Sequence, residues 1–124
     1  MKIISTRLHG YIDYLMGILL IASPWLFGFY NGNTESWIPI TIGVVTIVMS
    51  LMTAYEVGVA KIIPFKVHLS ADFTAGLLLA SSPWLFGFAE EVYLPHLLFG
   101  VFEILTVLMT KTPSSKKGNP QVAY

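Results

Sequence analysis

The chain reads Ser23-Pro24-Trp25-Leu26-Phe27-Gly28-Phe29 and repeats this stretch letter for letter, 59 residues later, as Ser82-Pro83-Trp84-Leu85-Phe86-Gly87-Phe88. The residues before it return at the same offset: His9, Asp13 and Gly17 as His68, Asp72 and Gly76. The residues after it return at an offset of 57: Gly43 as Gly100, and Leu51-Met52-Thr53 as Leu108-Met109-Thr110. The chain therefore contains two tandem copies of one unit, over about 9–55 and 68–110.

Apolar segments surround the repeated stretch. Hydrophobic residues make up 55% of the chain and charged residues only 11%, against about 25% charged residues in an average soluble domain. A helix needs about 20 apolar residues to cross a bilayer, and segments near that length cover 10–29, 37–55, 69–88 and 93–109. The sequence predicts an all-α polytopic membrane protein, with four transmembrane helices in residues 1–111 arranged as two tandem parallel helical-hairpin repeats. Residues 112–124 are predicted to form a flexible cytoplasmic tail.

The charged residues predict the orientation of these helices. All seven basic residues fall on one side of the four-helix topology: Lys2, Arg7, Lys61, Lys66, Lys111, Lys116 and Lys117. The charged residues in the connections on the opposite side are all acidic: Glu35, Glu90 and Glu91. The positive-inside rule then places both termini in the cytoplasm. We expect no cleaved signal peptide, because Pro24 follows the candidate cleavage site and the same pattern recurs inside the chain.

Several classes of function are disfavoured by composition. A formal net charge of zero leaves no basic stripe for nucleic acid. The chain has no cysteine, which excludes disulfides, thiolate metal sites and cysteine nucleophiles. It also lacks a phosphate-binding loop and a nucleophile elbow. We therefore predict no catalytic residue, no cofactor and no metal. The predicted partners are the lipid bilayer and a second copy of the chain or another membrane protein.

The repeated motif resembles that of the SPW-repeat family of small prokaryotic integral membrane proteins. The resemblance rests on Ser23-Pro24-Trp25 and Ser82-Pro83-Trp84 and covers nearly all of the chain outside the tail. It implies a location in the prokaryotic inner membrane, two helices per repeat and the motif in the first helix of each. The resemblance does not indicate any particular biochemical activity.

The Ser-Pro-Trp units are predicted to shape the outer ends of the first and third helices. Each proline removes one backbone donor and frees the carbonyl four residues earlier, at Leu20 or Leu79. The neighbouring hydroxyls of Ser23 and Ser82 can supply a partner, and the tryptophans suit the membrane interface. An alternative interpretation is that the two proline kinks, at Pro24 and Pro83, line an outward-facing vestibule.

The His-x3-Asp pairs are the main candidate site. Residues four apart share one face of a helix, so His9 pairs with Asp13 and His68 with Asp72. If the first and third helices meet, both pairs converge near the cytoplasmic end. Such a cluster could be a structural hydrogen-bond clasp, a proton or cation relay, or a metal site. The clasp is favoured, because each helix offers a single imidazole to a metal.

Two further groups complete the candidates. Glu103 lies about midway along the fourth span, where the first repeat has Thr46; it is predicted to be a neutral hydrogen-bonded acid or a proton- or ion-binding residue. Small residues allow close helix approach: Gly17 and Gly76 continue the His-Asp faces, and Gly43 and Gly100 motivate dimerisation. We predict a structural or accessory membrane component. The alternative is a small proton- or cation-coupled conduit that uses the His/Asp pairs and Glu103.

Overall fold

The computed structural model describes residues 2–112 and contains four helices: α1 (Thr6–Leu26), α2 (Thr34–Met52), α3 (Phe65–Leu85) and α4 (Leu94–Met109). The prediction of an all-α chain with four helices is confirmed. The first three helices begin three or four residues before their predicted starts. Helix α1 begins early because Ser5 caps its N-terminus: the Ser5 side chain accepts a hydrogen bond from Leu8 N at 3.1 Å. The predicted flexible tail lies outside the described residues from 113 onward.

The repeated seven-residue stretch ends a helix in both copies. Pro24 lies in the last turn of α1 and has no N–H to donate to the carbonyl of Leu20. The Ser23 hydroxyl donates to that carbonyl oxygen instead, at 2.8 Å. Ser82 donates to Leu79 O at 2.7 Å in the same way. Gly28 and Gly87 follow with φ of +69° and +74°, the left-handed conformation that commonly terminates a helix and that glycine adopts without steric cost. The stretch therefore satisfies the freed carbonyls and turns the chain.

The two helices of each repeat pack against one another through glycine. A Cβ added to Gly43 would lie 2.6 Å from the carbonyl oxygen of Gly17, and a Cβ added to Gly100 would lie 2.4 Å from Ala80 N. A Cβ on Gly76 would likewise lie 3.0 Å from Gly100 O. All four predicted packing glycines thus lie at helix contacts inside a repeat. Gly43 and Gly100, which motivated the prediction of dimerisation, face the same chain.

The end of each repeat pairs with the beginning of the other. Lys111 N donates to Ile4 O and Ala54 N to Ile63 O, both at 2.8 Å. These two hydrogen bonds are equivalent in the repeat, because Ile63 follows Ile4 by 59 residues and Lys111 follows Ala54 by 57. These short extended pairings, at Ile4–Thr110 and Thr53–Ile63, fix the last residue of one repeat beside the first helix of the other. The two copies are therefore interlocked at one end of the bundle.

The interior of the described chain is polar and its exterior is apolar. Fifteen polar or charged side chains are buried, against seven hydrophobic ones, while 29 large hydrophobic side chains are exposed. The exposed group includes Leu15, Ile18, Val45, Leu98 and Leu105, each at 50% or more. Most soluble proteins show the opposite arrangement.

By length and composition, α2 is the one described helix that could cross a membrane by itself. Helix α4 is apolar but has 16 residues. Helices α1 and α3 have 21 residues each, but they carry the buried histidines and aspartates, which lower their hydropathy.

Candidate functional site

Four side chains from the two repeats meet in one buried cluster, which we call the His–Asp cluster: His9, Asp13, His68 and Asp72. Three of them are fully buried and Asp72 is 3% exposed. Their ligand atoms all lie within 4.8 Å of one another. The two pairs predicted from the sequence therefore converge at the end of the bundle where the repeats interlock.

The hydrogen bonds of the cluster cross between the repeats. His9 Nε2 lies 2.9 Å from Asp72 Oδ2, and His68 Nε2 lies 2.8 Å from Asp13 Oδ2. The contacts along each helix are also short: His9 Nε2 is 3.2 Å from Asp13 Oδ1, and His68 Nε2 is 2.8 Å from Asp72 Oδ2. These two contacts lack hydrogen-bond geometry, and Asp13 Oδ1 has no hydrogen-bond partner. Each Nε2 thus lies close to both carboxylates.

Two threonines orient the imidazole rings. Thr110 Oγ1 lies 2.7 Å from His9 Nδ1 and donates its own proton to Thr106 O at 2.5 Å. Thr53 Oγ1 lies 2.7 Å from His68 Nδ1 and donates to Met49 O at 2.6 Å. A hydroxyl has one proton, so in both cases the ring must donate from Nδ1–H to the threonine oxygen. Both rings therefore carry a proton on Nδ1 and turn Nε2 toward the carboxylates.

Aromatic side chains cover the cluster. The Phe65 ring is fully buried, meets His9 edge-on at a centroid distance of 5.6 Å and stacks on His68 at 6.0 Å. Tyr55 is also fully buried, and its ring lies 5.5 Å from that of His68. The Tyr55 hydroxyl donates to Asp13 Oδ2 at 3.5 Å.

Within the part of the chain that the structure describes, no Lys or Arg neutralises the carboxylates of the cluster. Within residues 2–112, neither Asp13 nor Asp72 forms an ion pair with Lys or Arg, and their charged contacts are to the two histidines. Burying two unpaired carboxylates is very costly. The cluster therefore requires two added protons or a cation.

Glu103 lies one helical turn deeper than the cluster. It is 6% exposed, and neither carboxylate oxygen has a hydrogen-bond partner. A Cβ on Gly76 would lie 3.2 Å from Glu103 Cβ, and Gly76 follows Asp72 by one turn of α3. The carboxylate is not among the four groups that converge. The predicted hydrogen bond from a neighbouring Ser or Thr is absent from the described residues.

The Ser-Pro-Trp units lie at the opposite end of the helices. Trp25 and Trp84 are 57% and 56% exposed, and they pack against Tyr30 and Tyr93, respectively. A second buried histidine contact joins the repeats there, since His96 Nε2 donates to Glu35 O at 2.8 Å. The vestibule between the prolines stays a prediction.

The sequence interpretation missed the side chains that orient and cover the cluster. The sequence did mark Thr53 and Thr110, since both end the repeated Leu-Met-Thr stretch. Repetition alone, however, does not show what a residue contacts. Nothing in the repeat marked Tyr55 and Phe65, because their counterparts in the other copy are not aromatic.

The fold and the cluster define a helical protein of two interlocked repeats joined by buried polar side chains. The chain belongs to the SPW repeat family, since the model of the SPW repeat domain matches residues 7–110. This confirms the resemblance noted from the motif, and the family indicates a small membrane-associated protein. No curated protein and no solved structure matches the chain.

Proposed function

We propose that this SPW-repeat protein is a small polytopic membrane protein whose four helices all cross the bilayer. The observation that supports this is the distribution of polarity in the described chain, with polar side chains inside and large hydrophobic side chains outside. In lipid, polar groups must be satisfied within the protein. The histidines and aspartates of α1 and α3 contact one another inside the bundle and do not face lipid, so their presence does not prevent these helices from crossing.

The proposed orientation places both termini and the His–Asp cluster at the cytoplasmic side. The basic residues of the described chain lie at the cluster end of the helices: Lys2, Arg7, Lys61, Lys66 and Lys111. The connections at the other end carry Glu35, Glu90 and Glu91. The positive-inside rule supports this orientation. Helix α4 is about 24 Å long at 1.5 Å per residue and would cross with little tilt.

The proposed role is that of a structural or accessory membrane component. Both hydrogen bonds of the cluster run between the repeats, from His9 to Asp72 and from His68 to Asp13. The cluster therefore acts as a joint that holds two hairpins in one arrangement. A second copy of the chain or another membrane protein remains the proposed partner, bound through a surface other than Gly43 and Gly100. Crosslinking in native membranes tests this, and monomer alone would count against it.

Cysteine labelling tests the topology, because the chain has no native cysteine. Asn33→Cys and Glu90→Cys place an exposed thiol in the outer connections, and Ala60→Cys places one in the inner connection. We expect a membrane-impermeant maleimide to label the first two in intact cells and the third only after permeabilisation. Labelling of Ala60→Cys in intact cells would contradict the orientation. Recovery of the wild type in the soluble fraction would contradict the membrane assignment.

The alternative of a proton or cation conduit has no supporting observation among the described residues. Proteoliposomes containing a pH-sensitive dye test the accessory role against it. We expect the wild type to pass protons no faster than protein-free vesicles. Faster flux in the wild type that is lost in Asp13→Asn/Asp72→Asn, but kept in the exposed control Glu91→Gln, would overturn the accessory role.

A further inference from the structure

We propose that the His–Asp cluster binds one divalent transition-metal ion, with Zn²⁺ as the best fit, through His9 Nε2, His68 Nε2 and one oxygen each of Asp13 and Asp72. This inference rests on the proposed role of the cluster as the joint between repeats and names what occupies it. It revises the expectation, drawn from the sequence, of a clasp without metal.

The threonines set the chemical state that a metal requires. Thr53 and Thr110 accept a hydrogen bond from Nδ1–H of His68 and His9, respectively. A neutral imidazole protonated on Nδ1 has its free lone pair on Nε2. Both lone pairs then point into the space between the two carboxylates. Metal-binding histidines characteristically donate their other ring N–H to an acceptor that fixes the ring, and the two threonines occupy that position.

Protons satisfy only half of the contacts in the cluster. Two protons, one on each Nε2, account for the two hydrogen bonds between repeats. They leave the contacts of 3.2 Å and 2.8 Å along each helix without hydrogen-bond geometry, and Asp13 Oδ1 buried without a donor. One cation between the four side chains would contact one ligand atom of each of them. Its two positive charges also balance the two carboxylates, which no Lys or Arg of residues 2–112 pairs with.

The ligand set selects the class of ion. Two imidazole nitrogens and two carboxylate oxygens suit zinc and neighbouring first-row ions, whereas Mg²⁺ and Ca²⁺ prefer oxygen ligands alone. Tetrahedral bonds of about 2.1 Å separate ligand atoms by about 3.4 Å. The contacts of 2.8 Å to 3.2 Å would open by about 0.2–0.6 Å, and the more widely spaced ligand atoms, all within 4.8 Å of one another, would close toward the same separation. Four protein ligands under the buried rings of Phe65 and Tyr55 make a closed, structural site.

Metal titration of the full chain in nanodiscs tests this proposal. The protein is stripped with a chelator, checked for helix content, and titrated with Zn²⁺ alone and with Co²⁺ alone. We expect about one Zn²⁺ per chain, the visible absorption of tetrahedral Co²⁺, and a Tm several degrees higher with Zn²⁺. Asp13→Asn/Asp72→Asn should lose all three responses. Glu103→Gln, a matched change of a buried acid outside the ligand set, should keep them.

Two results would overturn the proposal. A folded, stripped wild type that binds neither ion would show that the cluster holds protons instead. Equal binding by the wild type and Asp13→Asn/Asp72→Asn would show that the ion binds elsewhere. The wild-type titration decides the first even if the double variant does not fold. Since cysteine labelling reports topology independently, failure of the metal site and failure of the membrane assignment are distinguishable.

Discussion

Thr53 and Thr110 show how one hydroxyl fixes the chemistry of a buried histidine. Each donates its proton to the carbonyl one turn earlier and so accepts from the imidazole Nδ1–H of the other repeat's first helix. The tautomer of both rings follows from this single constraint. The two residues are equivalent by sequence, and the structure uses them equivalently.

Replacing either threonine with valine tests this role at the residue scale. Thr53→Val or Thr110→Val keeps the shape but leaves a buried Nδ1–H without an acceptor, at a cost of about 1–3 kcal/mol. We expect each variant to unfold at lower denaturant or temperature in detergent. Thr74→Val is the matched control: Thr74 also donates to the carbonyl one turn earlier, but it is exposed. Its stability should change by no more than about 0.5 kcal/mol, and an equal loss in all three would refute the assigned role.

At the scale of elements, each hairpin depends on close contact between helix backbones. Gly17 meets Gly43 and Gly76 meets Gly100 where any Cβ would collide with backbone or side chain. Overall hydrophobicity does not explain the glycines, since a larger apolar residue would suit lipid better. The motif glycines Gly28 and Gly87 act differently, by ending the helix at a positive φ.

Gly43→Leu should separate α1 from α2. The added side chain meets Gly17 O and Ile21, and overpacking of this kind costs about 1–3 kcal/mol or more. The neighbouring Val44→Leu adds volume on an exposed face and serves as the control. Thermal unfolding of both variants in detergent measures the difference. If Gly43→Leu were as stable as Val44→Leu, the helices would not approach one another at this point.

At the scale of the whole molecule, the interlocked ends bring the two ends of the described chain together. Lys2 Nζ donates to Thr112 Oγ1 at 3.2 Å, beside the pairing of Ile4 with Thr110. An even number of antiparallel helices brings the two ends of a chain to the same end of a bundle. The pairing of Ile4 with Thr110 also places the two ends directly beside one another.

Crosslinking between the ends tests the arrangement. We expect a short bis-maleimide to join the thiols of Lys2→Cys/Thr112→Cys within one chain, as read by mass spectrometry of the digested protein. Lys2→Cys/Asn33→Cys is the control, since α1 separates these positions by about 30 Å. Crosslinking of the control at the same rate would contradict the four-helix arrangement.

Most of the fold was predictable from sequence because its signals are local or repeated. Apolar segments predicted four helices, and the repeat predicted two equivalent hairpins. The loss of the backbone donor at Pro24 predicted a freed carbonyl at Leu20, and the Ser23 hydroxyl contacts it. The i, i+4 spacing placed each histidine on the same helix face as its aspartate.

Two properties could be predicted from the chain alone, namely which residues share a helix face and which positions of the two repeats are equivalent. Both follow from the periodicity of the chain. The packing of the two hairpins brings His9 to Asp72 and His68 to Asp13. It also places threonines of the opposite repeats against the rings and the buried Phe65 and Tyr55 over them. Such contacts depend on where the two hairpins are held relative to one another. The exchange of extended ends between the repeats sets that position, and no local pattern encodes its geometry.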